Sequence, residues 1–319
     1  MTANGDGAAE VVPVRHVGRW FGSFAALVVV AMVIHTLLSK VNGKWRFRWD
    51  VVGHYFASRE IFDGLVKTLE LTVLAMVIGI VLGVLIAVMR ISRSRLLTAT
   101  AWTYTWFFRG TPVLVQLFFW VYIAAVYPQL TLGLPFLPVT FLHINPNSAL
   151  TFFNAAVVAL GLNEAAYMSE IARAGLLSVD EGQIEAASSL GMTRRQTLRL
   201  VVIPQAMRVI LPPTGNEVIS MLKTSSLAST ISVYELLGAA GNIYASNYLI
   251  IPLLIVASLW YIIVTTVLSI GQFYVERYFS RGALRNPPPT PIQRLRSDLR
   301  GIAAKMRTRR GVVTSAVAP

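Results

Sequence analysis

The chain contains no cysteine among its 319 residues, which excludes disulfide frameworks, thiolate metal sites and cysteine nucleophiles. Histidine is also scarce: the four present are scattered without the spacing of a metal site. No His-Glu-x-x-His or Gly-x-Ser-x-Gly element occurs, so the sequence does not support an intramembrane enzyme. A Gly-x-x-x-x-Gly-Lys-Ser/Thr phosphate loop is missing as well, so this chain does not bind ATP through that motif.

Charged residues are also scarce. They make up 13% of the chain, against roughly 25% in soluble domains. Hydrophobic residues make up 55%, and the mean hydropathy is +0.61. This balance excludes a secreted, cytosolic or disordered protein and indicates a membrane protein. The net charge of +13 lies mainly beside the apolar runs, which is typical of topology signals and lipid contacts and not of nucleic-acid binding.

Six apolar segments are long enough to cross a bilayer as helices. They are approximately residues 20–38, 65–89, 111–127, 149–172, 205–238 (interrupted) and 249–275. We therefore predict an all-α, polytopic membrane helix bundle. The first segment has no small-x-small cleavage site, so we interpret residues 20–38 as an uncleaved additional transmembrane helix after a cytoplasmic segment, 1–19.

Lys and Arg collect in three loops on one side of this arrangement. Arginines follow the second and sixth spans and lie between the fourth and fifth, whereas residues 128–149 and 239–250 contain neither Lys nor Arg. The positive-inside rule then predicts that both termini are cytoplasmic. Residues 40–59 disagree, because five basic residues there fall on the predicted outer side and are only partly offset by acidic ones.

Two local patterns predict how the spans are shaped. Ala75, Gly79, Gly83 and Ala87 recur at every fourth position and predict a helix face that another helix approaches closely. Arg109-Gly110-Thr111-Pro112 predicts a break before the third span. The proline-containing residues 128–147 predict an outer loop.

The charged segment between the fourth and fifth spans carries the most information. Ser178 and Glu181 have capping-box spacing, and Thr193 and Gln196 repeat it. Gly191 between them is suited to end a helix, and Pro204 predicts a second break. The pattern indicates a cytoplasmic helix-turn-helix with Glu185-Ala186-Ala187 exposed, although spacing alone is equally consistent with a capped, solvated loop.

The same segment resembles the signature loop of the membrane subunits of bacterial ATP-binding-cassette (ABC) importers. The matching elements are Glu185-Ala186-Ala187, three residues, Gly191, nine residues, and a short aliphatic run ending in Pro204. The flanks resemble permeases of the polar amino-acid group. They include Thr68-Leu69-Glu70-Leu71-Thr72, Arg109 to Gln116, Ala166 to Ile171, Gly182-Gln183, and Leu222 to Leu227.

The resemblance implies a type I ABC-importer transmembrane domain at residues 60–280, with a coupling loop at 178–204. Gln183, Glu185, Ala186, Ala187 and Gly191 would contact an ATPase. The implied partners are cytoplasmic ABC ATPase subunits that carry ATP and Mg²⁺, an extracytoplasmic solute-binding protein, the lipid bilayer of the bacterial inner membrane, and a second permease subunit, identical or different. No cofactor is expected on this chain, and no nucleic acid.

Ionisable residues inside spans are candidates for the substrate pathway, because an unpaired charge at that depth is costly. Glu164 lies about 21 Å into the fourth helix and could receive a substrate ammonium; alternatively it pairs with Lys223. Asn216, Glu217 and Lys223 follow Pro212-Pro213 and Gly215, where we predict an interrupted helix lining a cavity. Glu170 and Arg173 are expected to pair with each other.

The alternative function is a secondary transporter or channel working alone. Such a protein would be expected to contain internal repeats with paired broken helices, and only one interrupted span is evident. Residues 281–319 form a basic cytoplasmic tail after the family-like region. Ile292, Leu295 and Leu299 share one helical face with arginines around them, which predicts either a helix on anionic lipid or a disordered tail.

Overall fold

The computed structural model describes residues 17–41, 43–126, 130–133, 140–144, 150–279 and 297, and helices dominate this part of the chain. In chain order the elements are α1 (Val17–Leu38), β1 (Lys40–Val41), β2 (Lys44–Trp45), α2 (Trp49–Phe56), α3 (Arg59–Ile91), α4 (Arg95–Gly110), α5 (Val113–Val126), β3 (Leu130–Gly133), β4 (Thr140–Ile144), α6 (Phe152–Leu177), α7 (Glu181–Ser189), α8 (Arg194–Thr197), a π segment (Leu198–Val202), α9 (Ile203–Thr224), a 3-10 segment (Ser225–Ile231), α10 (Leu236–Asn247) and α11 (Ile250–Phe279). The predicted all-α class is confirmed.

Two small antiparallel hairpins accompany the helices. The first pairs β1 with β2, and the second pairs β3 with β4 across an irregularity after Leu132. The predicted outer loop, 128–147, therefore contains a hairpin where we expected turns alone. The structure describes only its strands.

The packing of α3 against α6 forms the centre of the bundle. A Cβ placed on Gly83 would lie 2.6 Å from Cβ of Met168, and one on Gly79 would lie 2.5 Å from Cγ of Glu164. Both distances are too short for real side chains, so only glycine permits this approach. The predicted small-residue face of the second span is thus confirmed as a helix contact, and it places Glu164 directly against α3.

The predicted break at Arg109 to Pro112 is also confirmed. The axes of α4 and α5 differ by 104° across it. The side chain of Gln116 braces the corner, because its amide nitrogen donates hydrogen bonds to the backbone oxygen of Phe108 (3.0 Å) and the hydroxyl of Thr111 (2.7 Å). The phenol of Tyr104 donates to the backbone oxygen of Leu162 (2.8 Å), so α4 reaches the middle of α6.

The fifth predicted span is interrupted, but not where the sequence indicated. Helix α9 runs without a break through Pro212, Pro213 and Gly215. The hydroxyl of Thr214 donates to the backbone oxygen of Ile210 (2.8 Å), and Gln272 of α11 donates to that of Pro212 (3.2 Å). Both bonds give additional side-chain donors to carbonyls of the proline-containing stretch, and the second ties α9 to α11.

The actual interruption is the 3-10 segment and the residues that follow it. Ser232 adopts a left-handed conformation (φ 64°), after which Glu235 caps α10. Pro204 does not break the helix either. It is the second residue of α9, directly after the π segment.

A buried carboxylate network fixes the restart of the chain at α10. Glu235 is fully buried. It accepts hydrogen bonds from the backbone nitrogens of Leu237 (3.0 Å) and Gly238 (2.7 Å), from the hydroxyl of Thr68 on α3 (3.2 Å), and from that of Tyr261 on α11 (2.9 Å). This one side chain consequently joins three helices.

The elements before α3 differ in how firmly they are attached. Trp260 of α11 stacks on Phe56 at 5.0 Å and donates to the backbone oxygen of Phe56, so α2 is held tightly. From Gly22 onward most side chains of α1 are exposed. A bond from the indole of Trp49 to the backbone oxygen of Leu37 (2.8 Å) ties the end of α1 to α2.

Some basic residues in the discordant segment 40–59 have acidic neighbours. Arg48 lies 3.0 Å from Asp50, and Arg59 lies 3.8 Å from Asp63. The Arg48 guanidinium lowers the pKa of the Asp50 carboxyl by a hydrogen bond. This pairing reduces the positive charge that conflicted with the predicted topology.

Fewer helices are long and apolar enough to cross a membrane than the six spans predicted from the sequence. Within the described residues, α3 and α11 pass that test, and α4 with Val113–Ile123 would add a third, bent span. Gly22–Leu38 is a shorter apolar helix. Helices α6 and α9 carry polar and charged side chains, which lower their hydropathy. Helix α6 buries Glu164 and Ser169, whereas the polar side chains of α9 are half-buried or exposed. The predicted segment 1–19, except for the start of α1, and the tail 281–319, except for Ser297, lie outside the described residues.

Candidate coupling segment and substrate cavity

The coupling segment comprises residues 178–204. Its first helix, α7, has its N-cap two residues later than the predicted capping box placed it. Ser178 ends α6, and its hydroxyl donates to the backbone oxygen of Gly175 (2.7 Å). Asp180 is the N-cap of α7 and accepts from the backbone nitrogen of Gly182 (2.9 Å). The predicted Ser178–Glu181 box is therefore wrong, because Ser178 still has helical backbone angles.

The turn inside the coupling segment agrees with the sequence. Gly191 has φ 75°, and the backbone nitrogen of Met192 donates to the oxygen of Ala187 (3.1 Å) across it. The predicted Thr193–Gln196 capping box is confirmed: the backbone nitrogen of Thr193 donates to the Gln196 side chain (2.8 Å), and the Thr193 hydroxyl accepts in return. A glycine-terminated helix and a newly capped helix give the turn a defined geometry.

The predicted contact residues of this segment do not all face outward. Gln183, Glu185, Ala186 and Gly191 are exposed, whereas Ala187 is only 3% exposed. Successive residues of a helix point about 100° apart, so the side chain after Ala186 turns toward the protein. Leu190, in contrast, is 81% exposed. The outward surface thus combines Glu185 and Ala186 with an uncovered apolar side chain.

Apolar packing anchors the coupling segment to the bundle. Val179, Val202 and Ala206 form a small buried cluster with Leu176 and Ile210. These residues belong to the end of α6, the start of the segment, the π segment and α9. The two ends of the coupling segment are therefore held together, between the end of α6 and the start of α9.

A cavity of about 540 Å³ lies at the corner between α4 and α5, against α6 and α9. Its lining is Arg109, Gly110, Thr111, Pro112, Val113, Leu160, Asn163, Glu164, Tyr167, Glu217, Ser220, Met221 and Thr224. We call it the acidic cavity, because Glu164 and Glu217 both line it.

Glu164 is buried in this cavity without the partner that a structural carboxylate would require. Its side chain is only 4% exposed, and Oε1 has no hydrogen-bond partner. Glu217 is half-buried and lines the same cavity. The unused lone pair of this buried oxygen needs a donor from outside the described chain, such as water or a ligand.

The other two predicted pathway residues lie elsewhere. Lys223 is exposed and is not part of the cavity lining, and within the described residues no salt bridge joins it to Glu164. Asn216 is also exposed and accepts a hydrogen bond from Gln272 of α11 (3.1 Å). The structure thus brings together Glu164 and Glu217, but neither Asn216 nor Lys223.

Sequence reasoning missed several polar side chains of the cavity. Asn163 donates to the backbone oxygen of Phe108 (3.0 Å) and so ties α6 to the corner of α4. Tyr167 lies one helical turn from Glu164, and Ser220 and Thr224 lie at helical spacing from Glu217. That spacing was a usable signal, since residues three, four and seven apart share a helix face.

The predicted Glu170–Arg173 pair is confirmed at 3.1 Å and belongs to a larger cluster. The same carboxylate also pairs with Arg90 of α3 and lies 3.4 Å from Arg109. Arg109 in addition stacks over Tyr167, 5.4 Å from its ring centre. In the described part of the chain, no group of three or more His, Asp or Glu side chains is arranged to hold a metal.

Comparisons with known proteins agree with these features. Residues 79–281 match the family described as binding-protein-dependent transport system inner membrane component. The chain is 43% identical, over 86% of its length and 84% of the relative's, to the arginine transport system permease protein ArgU of Corynebacterium glutamicum. It is 38% identical to the L-cystine transport system permease protein TcyB of Bacillus subtilis, over 73% of this chain and 92% of that protein.

Solved structures give the same answer for the fold. A crystal structure of an amino acid ABC transporter with histidines is 36% identical, has a TM-score of 0.60, and is matched over 72% of this chain and 98% of that one. An inward-facing MetNI methionine ABC transporter, 20% identical with a TM-score of 0.52 over 70% of this chain and 97% of that one, shares the fold. The type I importer fold expected from the sequence is confirmed. The chain therefore belongs to the family of binding-protein-dependent inner membrane components, as a multi-pass permease of the polar amino-acid group of ABC importers.

Proposed function

We propose that this chain forms the translocation pathway of an ATP-driven importer of cationic amino acids. The single observation that carries the substrate class is Glu164, buried with a free oxygen beside Glu217. A buried carboxylate offsets its desolvation by accepting charge-assisted hydrogen bonds from a cation. A substrate with an ammonium and a second positive group would satisfy both carboxylates.

The names of three relatives support this choice, whereas another is named for L-cystine transport. One relative is described as transporting arginine, and others, 38% to 41% identical, as octopine transport permeases of Rhizobium species. Asn216 and Lys223 are not part of this proposal, because they lie outside the cavity lining.

We further propose that residues 178–204 dock on a cytoplasmic ABC ATPase. The support is the exposed surface of Glu185, Ala186 and Leu190, in a segment whose two ends are held in the apolar cluster of Val179, Val202 and Ala206. ATP and Mg²⁺ would be bound by the ATPase, and its closure would move α6 and α9, which carry Glu164 and Glu217. In this way hydrolysis would switch access to the acidic cavity between the two membrane faces.

The remaining partners follow from the same assignment. The chain would pair with a second permease subunit in the bilayer and receive substrate from an extracytoplasmic solute-binding protein. Both termini would face the cytoplasm, on the side of the coupling segment.

Reconstitution in proteoliposomes tests the proposal. The permease, its ATPase and its binding protein should accumulate radiolabelled L-arginine when ATP is present, and L-glutamate should be carried poorly. Uptake driven by an ion gradient, with the permease alone and no ATP, would support the secondary-transporter alternative. ATP-dependent uptake with a preference for L-glutamate would refute the cationic substrate class while leaving the importer assignment intact.

A further inference from the structure

A second cavity, of about 390 Å³, adjoins the acidic cavity between the end of α3, α4 and α6. Its lining includes Arg90, Trp102, Thr105, Trp106, Arg109 and Glu170. We call it the basic pocket. The function proposed above gives this pocket no role.

The basic pocket carries positive charge that its own carboxylate does not balance. Arg90 and Arg109 both pair with Glu170, the carboxylate of the lining, so one positive charge of the lining remains. Arg173 lies outside the lining and pairs with the same carboxylate. Arg90 uses one guanidinium nitrogen for both Glu170 and the hydroxyl of Thr105 (3.2 Å). A guanidinium has five N–H donors, so donors are left over for an anion that enters the pocket.

Two tryptophan side chains line the basic pocket together with Arg90 and Arg109. Trp102 and Trp106 are stacked, with ring centres 6.3 Å apart and planes at 8°, and they are 55% and 63% exposed. Large exposed aromatic rings next to arginines are typical of the level of lipid headgroups. They provide an apolar wall that a free inorganic ion would not use.

The position of the pocket along the bundle fits that level. Arg90 lies in the last turn of α3, where a long apolar run ends, and the exposed Arg93 and Arg95 follow it. Phosphate groups of a bilayer lie where the apolar core ends. The headgroup and the guanidiniums would therefore be at the same depth.

We propose that the basic pocket binds the phosphate of an anionic phospholipid. Arg90 and Arg109 hold the phosphate oxygens, and Trp102 and Trp106 pack against the glycerol and the upper acyl chains. Assigning the lipid to the inner leaflet rests on the orientation in the proposed function; the binding itself does not.

Native mass spectrometry of the purified complex, with phosphatidylglycerol titrated in, tests this site. Arg90→Gln removes a charge-assisted hydrogen bond to the phosphate, and Trp106→Ala removes an apolar contact with the acyl chains. Each should weaken retention of the lipid about tenfold. Arg90→Gln leaves Glu170 with Arg109 and Arg173, and Trp106 is mostly exposed, so both variants should fold. Arg93→Gln removes the same charge from an exposed position outside the pocket and should leave retention unchanged.

The source of the phosphate is tested in the same preparation. Phosphatidylglycerol should raise the melting temperature of the wild-type complex, whereas phosphatidylcholine or inorganic phosphate alone should not. Equal stabilisation by inorganic phosphate would overturn the lipid assignment, and equal retention of phosphatidylglycerol by all four proteins would overturn the site. Neither measurement depends on transport, so failure here is separate from failure of the proposed function.

Discussion

At the scale of single residues, Glu164 is the side chain whose role is most directly testable. Glu164→Gln keeps its size and removes its charge, so we expect uptake of L-arginine to fall about tenfold or more, because a charge-assisted hydrogen bond to the substrate is lost. The melting temperature should stay close to that of the wild type, since the structure gives this carboxylate no ion pair to lose. Uptake assays and thermal unfolding of the same preparation measure both.

The double variant with Lys223→Met separates this role from a structural one. If Glu164 paired with Lys223, Glu164→Gln would lower stability and Lys223→Met would restore it. We expect neither effect, because Lys223 is exposed and outside the cavity. Rescue of stability in the double variant would contradict the substrate role.

Thr68 gives a second prediction at this scale. Its hydroxyl donates to Glu235 and accepts from the backbone nitrogen of Leu236 (3.0 Å). Thr68→Val keeps the shape of the side chain but deprives the Glu235 carboxylate and the Leu236 N–H of a partner. The free energy of unfolding should therefore fall by about 2 kcal/mol. Thr72→Val is the matched control, because its hydroxyl bonds only the backbone oxygen of Thr68 within the same helix. Similar losses in both variants would argue against the special role of the Glu235 network.

At the scale of elements, α7 should couple the ATPase to the pathway through the exposed Ala186. Ala186→Trp places bulk on a close contact, so substrate-stimulated ATP hydrolysis should fall severalfold while insertion and melting temperature stay normal. Glu185→Lys should act likewise through charge. Ala31→Trp, the same change on an exposed alanine of α1, serves as the control. Normal stimulation in both α7 variants would exclude the coupling role.

Gly191 is a less clean probe of the same element. Because its φ is 75°, any other residue strains the turn by about 1 kcal/mol, quite apart from a partner. Gly191→Trp should thus lose coupling and some stability together.

At the scale of the whole molecule, the basic tail should be dispensable for transport. The last helix of the described bundle, α11, runs to Phe279, and the family match ends at residue 281. We expect a chain that lacks residues 287–319 to insert and to import L-arginine at close to the normal rate. Loss of uptake with normal membrane levels would assign the tail a part in the transport cycle.

Local signals in the sequence predicted much of this molecule. The corner at Arg109 to Pro112, the positive φ of Gly191 and the glycine face of α3 each depend on a few neighbouring residues, and each is confirmed. The continuity of α9 was not predictable in the same way. Beside the prolines, Gln272 donates to the carbonyl of Pro212, 60 residues away along the chain, and no local pattern indicates such a contact.

The site residues were also predictable only in part, because their grouping depends on contacts between distant parts of the chain. Glu164 and Glu217 stood out as intramembrane charges, but only the fold shows that they share a cavity from which Lys223 is absent. The Glu235 network joins residues 167 positions apart, and no pattern in the sequence pairs Thr68 with Glu235.

The π segment has a consequence for the orientation of α9. The backbone nitrogen of Ile203 donates to the oxygen of Leu198, five residues back, so this turn contains one residue more than an α-helical turn. Each residue rotates the following side chains by about 100° about the helix axis. The phase of α9, and with it the direction of Glu217, Ser220 and Thr224, is therefore set by this one extra residue. Deleting one residue from the π segment would rotate Glu217, Ser220 and Thr224 by about 100° about the axis of α9, away from Glu164.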